Sequence, residues 1–127
     1  MSDLIQPIDH KSYLNNDTLD LLFDLMDGDS EMIVDLVDTL IETTPELLDE
    51  LKTGVGSRDS QKIRDSAHAL KSSNAQLGAE SFAKLCEEME SKGREDNTEG
   101  LDQLLDTILA EFEKVRAALG SWKNSLA

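Results

Sequence analysis

His68 and Lys71 are the pair in this chain whose types and spacing could do chemistry. A neutral imidazole is a competent nucleophile toward an activated phosphoryl group near neutral pH. An ammonium three residues further along a helix shares the face of the ring and would stabilise negative charge placed on it. At helical spacing Arg64, His68, Lys71, Ser72 and Ala75 stand on one face, while Ile63, Ala67, Leu70, Asn74 and Leu77 stand on the next. The second set is an apolar stripe interrupted once, suited to a core. The imidazole is therefore expected beside the buried stripe, with small side chains around it, where another protein could touch it.

Other chemistries fit less well. No serine or cysteine has a second histidine placed to activate it, and no Gly-x-Ser-x-Gly turn occurs. Asp65-Ser-Ala-His68 has the acid-x-x-His spacing of carboxylate-bridged metal bundles, but such sites need the unit twice and it occurs once. No metal site is assigned. A phosphate-binding glycine loop is absent, so the chain is not expected to bind a nucleotide by itself. The single cysteine, Cys86, excludes an internal disulfide and a cysteine cluster, and reads as a small core residue.

The chain has 127 residues and a formal charge of −15. That charge argues against nucleic acid as a partner, since backbone binding needs a basic surface. Residues 58–84 nevertheless hold five basic groups against three acidic ones, a net of +2, leaving −17 for the remainder. The surroundings of His68 are thus the locally cationic part of an acidic molecule. They read either as a solvated helix face or as a docking patch for an anionic site. No apolar run approaches the roughly 18 residues of a membrane span, and the amino terminus lacks the pattern of a secretion signal. A cytoplasmic protein is expected. The starting methionine and the absence of kinase motifs lean toward a free-standing protein over a piece of a larger kinase.

Sparse glycine and proline with recurrent Leu, Asp and Glu favour helices. Residues 1–16 show no sustained period and read as a tail containing His10, to which no role is assigned; residues 17–127 read as one domain. Asn16 or Asp17 is the expected cap of a short helix carrying Leu19, Leu22, Phe23 and Met26, stopped by Gly28. A long helix follows from Asp29 or Ser30, striped by Ile33, Leu36, Val37, Leu40, Ile41, Thr44, Leu47, Leu48 and Leu51. Pro45 is expected to kink or break it, and Gly54-Val55-Gly56 to end it. Ser57 is the expected cap of the histidine helix, which runs to about Gln76; Gly78 then turns the chain. A helix over 79–92 faces Phe82, Leu85, Cys86 and Met89 inward and closes at Gly93. Asn97 or Thr98 is the expected cap of the last helix, striped by Leu101 through Trp122. Met26, Met32 and Met89 read as gap fillers in the core. Asn74 is either a buried polar group needing partners or the end of its helix. The expected fold is all-α, an antiparallel up-down four-helix bundle with a short extra N-terminal helix.

The string His-Ala-Leu-Lys-Ser-Ser-Asn-Ala-Gln-Leu-Gly-Ala, from His68 to Ala79, resembles the signature of histidine-containing phosphotransfer (HPt) domains of multistep phosphorelays. That signature is His-x-Leu-Lys, a small residue, a small polar run, then an apolar residue and Gly-Ala. His68, Leu70, Lys71, Ser72, Leu77, Gly78 and Ala79 fall in place, and the resemblance continues through Phe82, Leu85, Cys86 and Met89. It implies that His68 is the phosphoacceptor and Lys71 the charge partner of the phosphoryl group. Ser72 and Ala75 would be the small residues that let a partner approach, with Arg64 on the same docking face. Some family members use a glutamine on the following helix to hold the imidazole. The matching position is Glu90, which would either fix the ring's tautomer or simply face water. Ser72 in place of glycine is a mild departure.

The resemblance also implies the mechanism and partners. Receiver domains of response regulators, or of a hybrid sensor histidine kinase, would dock on the His68 face and exchange a phosphoryl group between their aspartate and His68. Mg²⁺ and most transition-state stabilisation would belong to the receiver, so the chain would be a monomeric carrier without a cofactor of its own, not an autonomous enzyme. The alternative is an acidic helical adaptor that binds a signalling partner through the same face without being phosphorylated.

Overall fold

The computed structural model describes residues 13–126, which form five helices and no strand: α1 Asn16–Leu25, α2 Ser30–Ser57, α3 Ser60–Ala75, α4 Glu80–Arg94 and α5 Leu101–Ser125. Helices α2 to α5 make the antiparallel up-down bundle, each packed on the next and α5 returning against α2. The short α1 is the extra N-terminal element. His10 and most of the expected tail lie outside the described residues. Within the remainder of that tail, Leu14 is buried in the core, and the Asn15 amide donates to the Gly78 carbonyl at 2.8 Å. This fastens the entry to α1 onto the α3–α4 turn. Gly78 is required there twice over. Its φ is +77°, and a Cβ would stand 2.9 Å from the Asn15 nitrogen.

The apolar stripes form one continuous core. Ile33, Val37, Leu51 and Val55 of α2 meet Ile63, Ala67 and Leu70 of α3, Phe82, Cys86 and Met89 of α4, and Ile108, Phe112, Val115 and Leu119 of α5. Pro45 does not break α2, which runs unbroken through it. An interior proline costs about 3 kcal/mol, and burying two apolar side chains of the leucine or isoleucine kind offsets that. The stripe of α2 buries more than two, and Pro45 itself lies on the exposed side. Met32, expected in the core, is instead 53% exposed.

Several ends differ from the sequence expectation, each for a local reason. Asn15, not Asn16 or Asp17, caps α1 by accepting from the Thr18 amide. Gly54 and Gly56 are helical, and α2 runs to Ser57, closed by Arg58, whose φ of 55° is left-handed. Gly54 serves close approach, since a Cβ there would meet the Ile63 backbone nitrogen of α3 at 3.1 Å. Asp59, not Ser57, caps α3 by accepting from the Lys62 amide. Gly93 lies inside α4, not beyond it. Asn97 turns back to its own loop, accepting from the Glu99 amide at 2.9 Å, and Gly100 at φ 71° opens α5 without a side-chain cap. Asn74 satisfies both expectations: it is buried, with Nδ2 donating to the Leu70 carbonyl at 3.0 Å, and it lies in the last turn of α3.

Candidate functional site

α3 presents His68 between two fully buried neighbours, Ala67 and Leu70, so the ring is anchored at the edge of the core while its side chain is 60% exposed. Across the α3–α4 seam stands Glu90, whose side chain is only 7% exposed. The His68 Nδ1 lies 3.0 Å from Glu90 Oε2. An ionised carboxylate can only accept, so Nδ1 carries the proton and donates. The lone pair is thereby left on Nε2, the nitrogen facing away from this contact.

Glu90 is the centre of the site's charge. The Lys71 ammonium sits 2.9 Å from Oε1, an ion pair whose angle falls outside hydrogen-bond geometry. Arg94, one turn along α4, donates to Oε2 at 3.0 Å. Burial alone pushes the Glu90 carboxyl up, but the neighbouring Lys71 ammonium and then the His68 ring outweigh it and hold the carboxyl below its ordinary 4.5. The unfolded chain therefore binds a proton more readily there than the folded one. The resulting stabilisation is present above the ordinary value and is lost as pH falls through the lowered one. In a carbon-detected titration, the Glu90 carboxyl resonance should still report carboxylate at a pH where exposed glutamates are half protonated. Titration together with them would contradict the assigned ion pairs.

The seam is close because Gly93 lets it be. A Cβ at position 93 would lie 2.8 Å from the Arg64 nitrogen and 3.0 Å from the Ser60 carbonyl oxygen, both backbone atoms that cannot swing aside. Gly93→Ala should therefore destabilise the protein. About 1 kcal/mol of helix propensity gained is outweighed by overpacking of about 1–3 kcal/mol. Denaturant unfolding measures the loss, and the His68 ring nitrogen shifts should move with it; an increase in stability would show that the seam can open freely.

The remaining sequence candidates fall around this centre. Ser72 and Ala75 line a shallow groove beside Lys71, completed on α4 by Glu80, Ala83, Lys84 and Glu87. Arg64, one turn before His68, is half-buried and has its guanidinium 3.7 Å from Asp65, so it does not join the Glu90 cluster. Sequence reasoning missed Arg94, although its spacing of four from Glu90 is the signal for an ion pair on one helix face. Cys86 is buried, which pushes its thiol up to about 12 and leaves it unreactive. Among the described residues no group of three or more His, Cys, Asp or Glu is placed to hold a metal ion. No described helix is long and apolar enough to cross a membrane.

Comparison with known proteins bears on the family and the fold. The family model of the Hpt domain matches residues 35–118, and the chain belongs to that family. It is 26% identical over 106 residues to the phosphorelay intermediate protein rdeA of Dictyostelium discoideum, a match covering 84% of this chain and 42% of that protein. The chain thus spans about two fifths of the length of that curated relative. Its fold is similar to that of histidine-containing phosphotransfer protein B (HptB) from Pseudomonas aeruginosa PAO1. The TM-score is 0.82 at 25% identity, covering 89% of this chain and 96% of that one. The HPT domain of a sensor hybrid histidine kinase from Shewanella gives 0.69 at 23% identity, over 86% and 94% of the two chains, a likeness of fold alone.

Proposed function

We propose that this chain carries a phosphoryl group on His68 Nε2 between the aspartates of receiver domains in a phosphorelay. The observation that carries the reading is the exposed imidazole held by a buried carboxylate through Nδ1, with its nucleophilic nitrogen left free. Transfer occurs in line: the Nε2 lone pair attacks phosphorus as the bond to the receiver's aspartate breaks. Lys71 and Arg94, both paired with the carboxylate that holds the ring, are the cations that would offset charge brought by the phosphoryl oxygens. Ser72 and Ala75 keep the approach low, and the cationic region around them, with Arg64, meets the acidic pocket of a receiver.

The reading makes the chain a cytoplasmic, monomeric carrier and not an enzyme. It uses no metal of its own; the Mg²⁺ belongs to the docked receiver, and receivers of response regulators or of a hybrid kinase are the partners. The test is incubation with a panel of receivers charged by acetyl phosphate. The expected label on this chain is acid-labile and base-stable. Receiver binding without any such label would favour the adaptor reading instead. Lys71→Ala should slow transfer or shorten the lifetime of the phosphohistidine by roughly tenfold, the worth of one charge-assisted contact. Unchanged rates and lifetime, measured on a folded variant, would remove Lys71 from the mechanism.

A further inference from the structure

The group that holds the imidazole is a carboxylate, and a carboxylate contributes charge as well as direction. Among the described residues, the charged or titratable groups paired with Glu90 are His68 and Lys71 from α3 and Arg94 from α4 itself. Glu87 stands beside Lys71 in the groove one turn earlier on α4. Building on the carrier reading above, we propose that Glu90 keeps the Nδ1 proton on the ring after Nε2 is phosphorylated, and so sets how readily His68 releases the phosphoryl group.

The argument follows from the electron count. On arrival, the Nε2 lone pair forms the N–P bond, and the pair of the breaking P–O bond stays with the receiver's aspartate. No proton has to move. The phosphorylated ring then carries hydrogen on Nδ1, phosphorus on Nε2 and one positive charge, facing a carboxylate oxygen 3.0 Å away. On departure the N–P pair returns to Nε2, and the leaving group is neutral imidazole. Had Nδ1 lost its proton first, the leaving group would be an imidazolate anion, which is far poorer.

A nearly buried carboxylate opposes that loss because attraction between opposite charges is stronger away from bulk water. Glutamine could accept the same hydrogen bond but would add no charge. Lys71 and Arg94 share the carboxylate at rest, and a phosphoryl group on Nε2 offers both of them a second anion. Glu90 is thus a positioning residue whose charge tunes the carrier between holding and passing on.

The test charges wild type and Glu90→Gln with potassium phosphoramidate, a small donor that needs no receiver, and follows phosphohistidine loss by phosphorus NMR from acid to alkaline pH. The rate profile of the variant should be displaced to lower pH by about one unit, a roughly tenfold slowing on its steep limb. Nitrogen-edited spectra of phosphorylated wild type should show Nδ1 still protonated at neutral pH, a readout that does not depend on the variant folding. Coincident profiles, or a bare Nδ1 in the wild type, would overturn the proposal, as would failure of phosphoramidate to label His68. A chain that phosphoramidate labels but no charged receiver does would overturn the carrier reading, while the two profiles would still decide the role of Glu90.

Discussion

His68→Gln is expected to reduce phosphoryl acceptance from any charged receiver to background while the helical bundle survives. The loss should be complete because the amide of glutamine has no nucleophilic lone pair to replace Nε2. The fold should survive because the ring is largely exposed and its removal opens no cavity in the core. Exposed substitutions of this kind usually change stability by no more than about 0.5 kcal/mol. Glu90 would keep Lys71 and Arg94 as partners, and the new amide could donate in place of Nδ1. Radiolabel transfer and thermal unfolding, run side by side, check both halves. Stoichiometric labelling of a folded His68→Gln protein would move the acceptor elsewhere.

The largest effect on stability is expected at Phe82, fully buried in the first turn of α4 and tilted against Phe112 of α5 with ring centroids 5.8 Å apart. Phe82→Ala removes most of a large core side chain and leaves a cavity, at about 3–5 kcal/mol, and also forfeits the aromatic pair, worth up to about 1.5 kcal/mol. A domain of this kind holds about 5–15 kcal/mol in all, so the variant should be marginally folded at best. The consequence reaches the site. Phe82, Cys86 and Met89 share the inward face that seats α4, and Glu90 is delivered to His68 by that seating. Denaturant unfolding should show the midpoint collapse. A loss below about 1 kcal/mol would mean that α4 is held chiefly by its seam with α3.

The elements themselves were legible because their apolar positions recur at threes and fours over long stretches, and burial follows that period from Ile33 to Trp122. Helix ends were less legible. Asn15 and Asp59 were each passed over for a nearby residue of similar capping chemistry, and Gly100, which opens α5 without a side-chain cap, was passed over for Asn97 or Thr98. Gly54 and Gly93 look like punctuation in a sequence. In the fold they are the two places where α2 and α4 approach the backbone of α3, a demand no local pattern announces. Pro45 misled for the opposite reason, since its local cost is real but small beside the burial of the whole stripe.

At the site, the exposed position of His68 could be read from Ala67 and Leu70 on either side of it. The contact of Glu90 with the ring was open to the sequence only through the family resemblance, as one of two alternatives, because periodicity cannot join residues twenty-two apart across two helices; its pairing with Lys71 and Arg94 was not read at all. Lys71 is correspondingly less free than its spacing suggests. At rest its ammonium, on a side chain 30% exposed, neutralises the nearly buried Glu90 and does not stand open to solvent.

The most direct test of the account is phosphorus–nitrogen NMR on wild-type protein charged by a phosphorylated receiver. The account predicts one phosphoramidate signal coupled to Nε2 of His68. A phosphoryl group found on Nδ1, on another side chain or nowhere on the chain would contradict it.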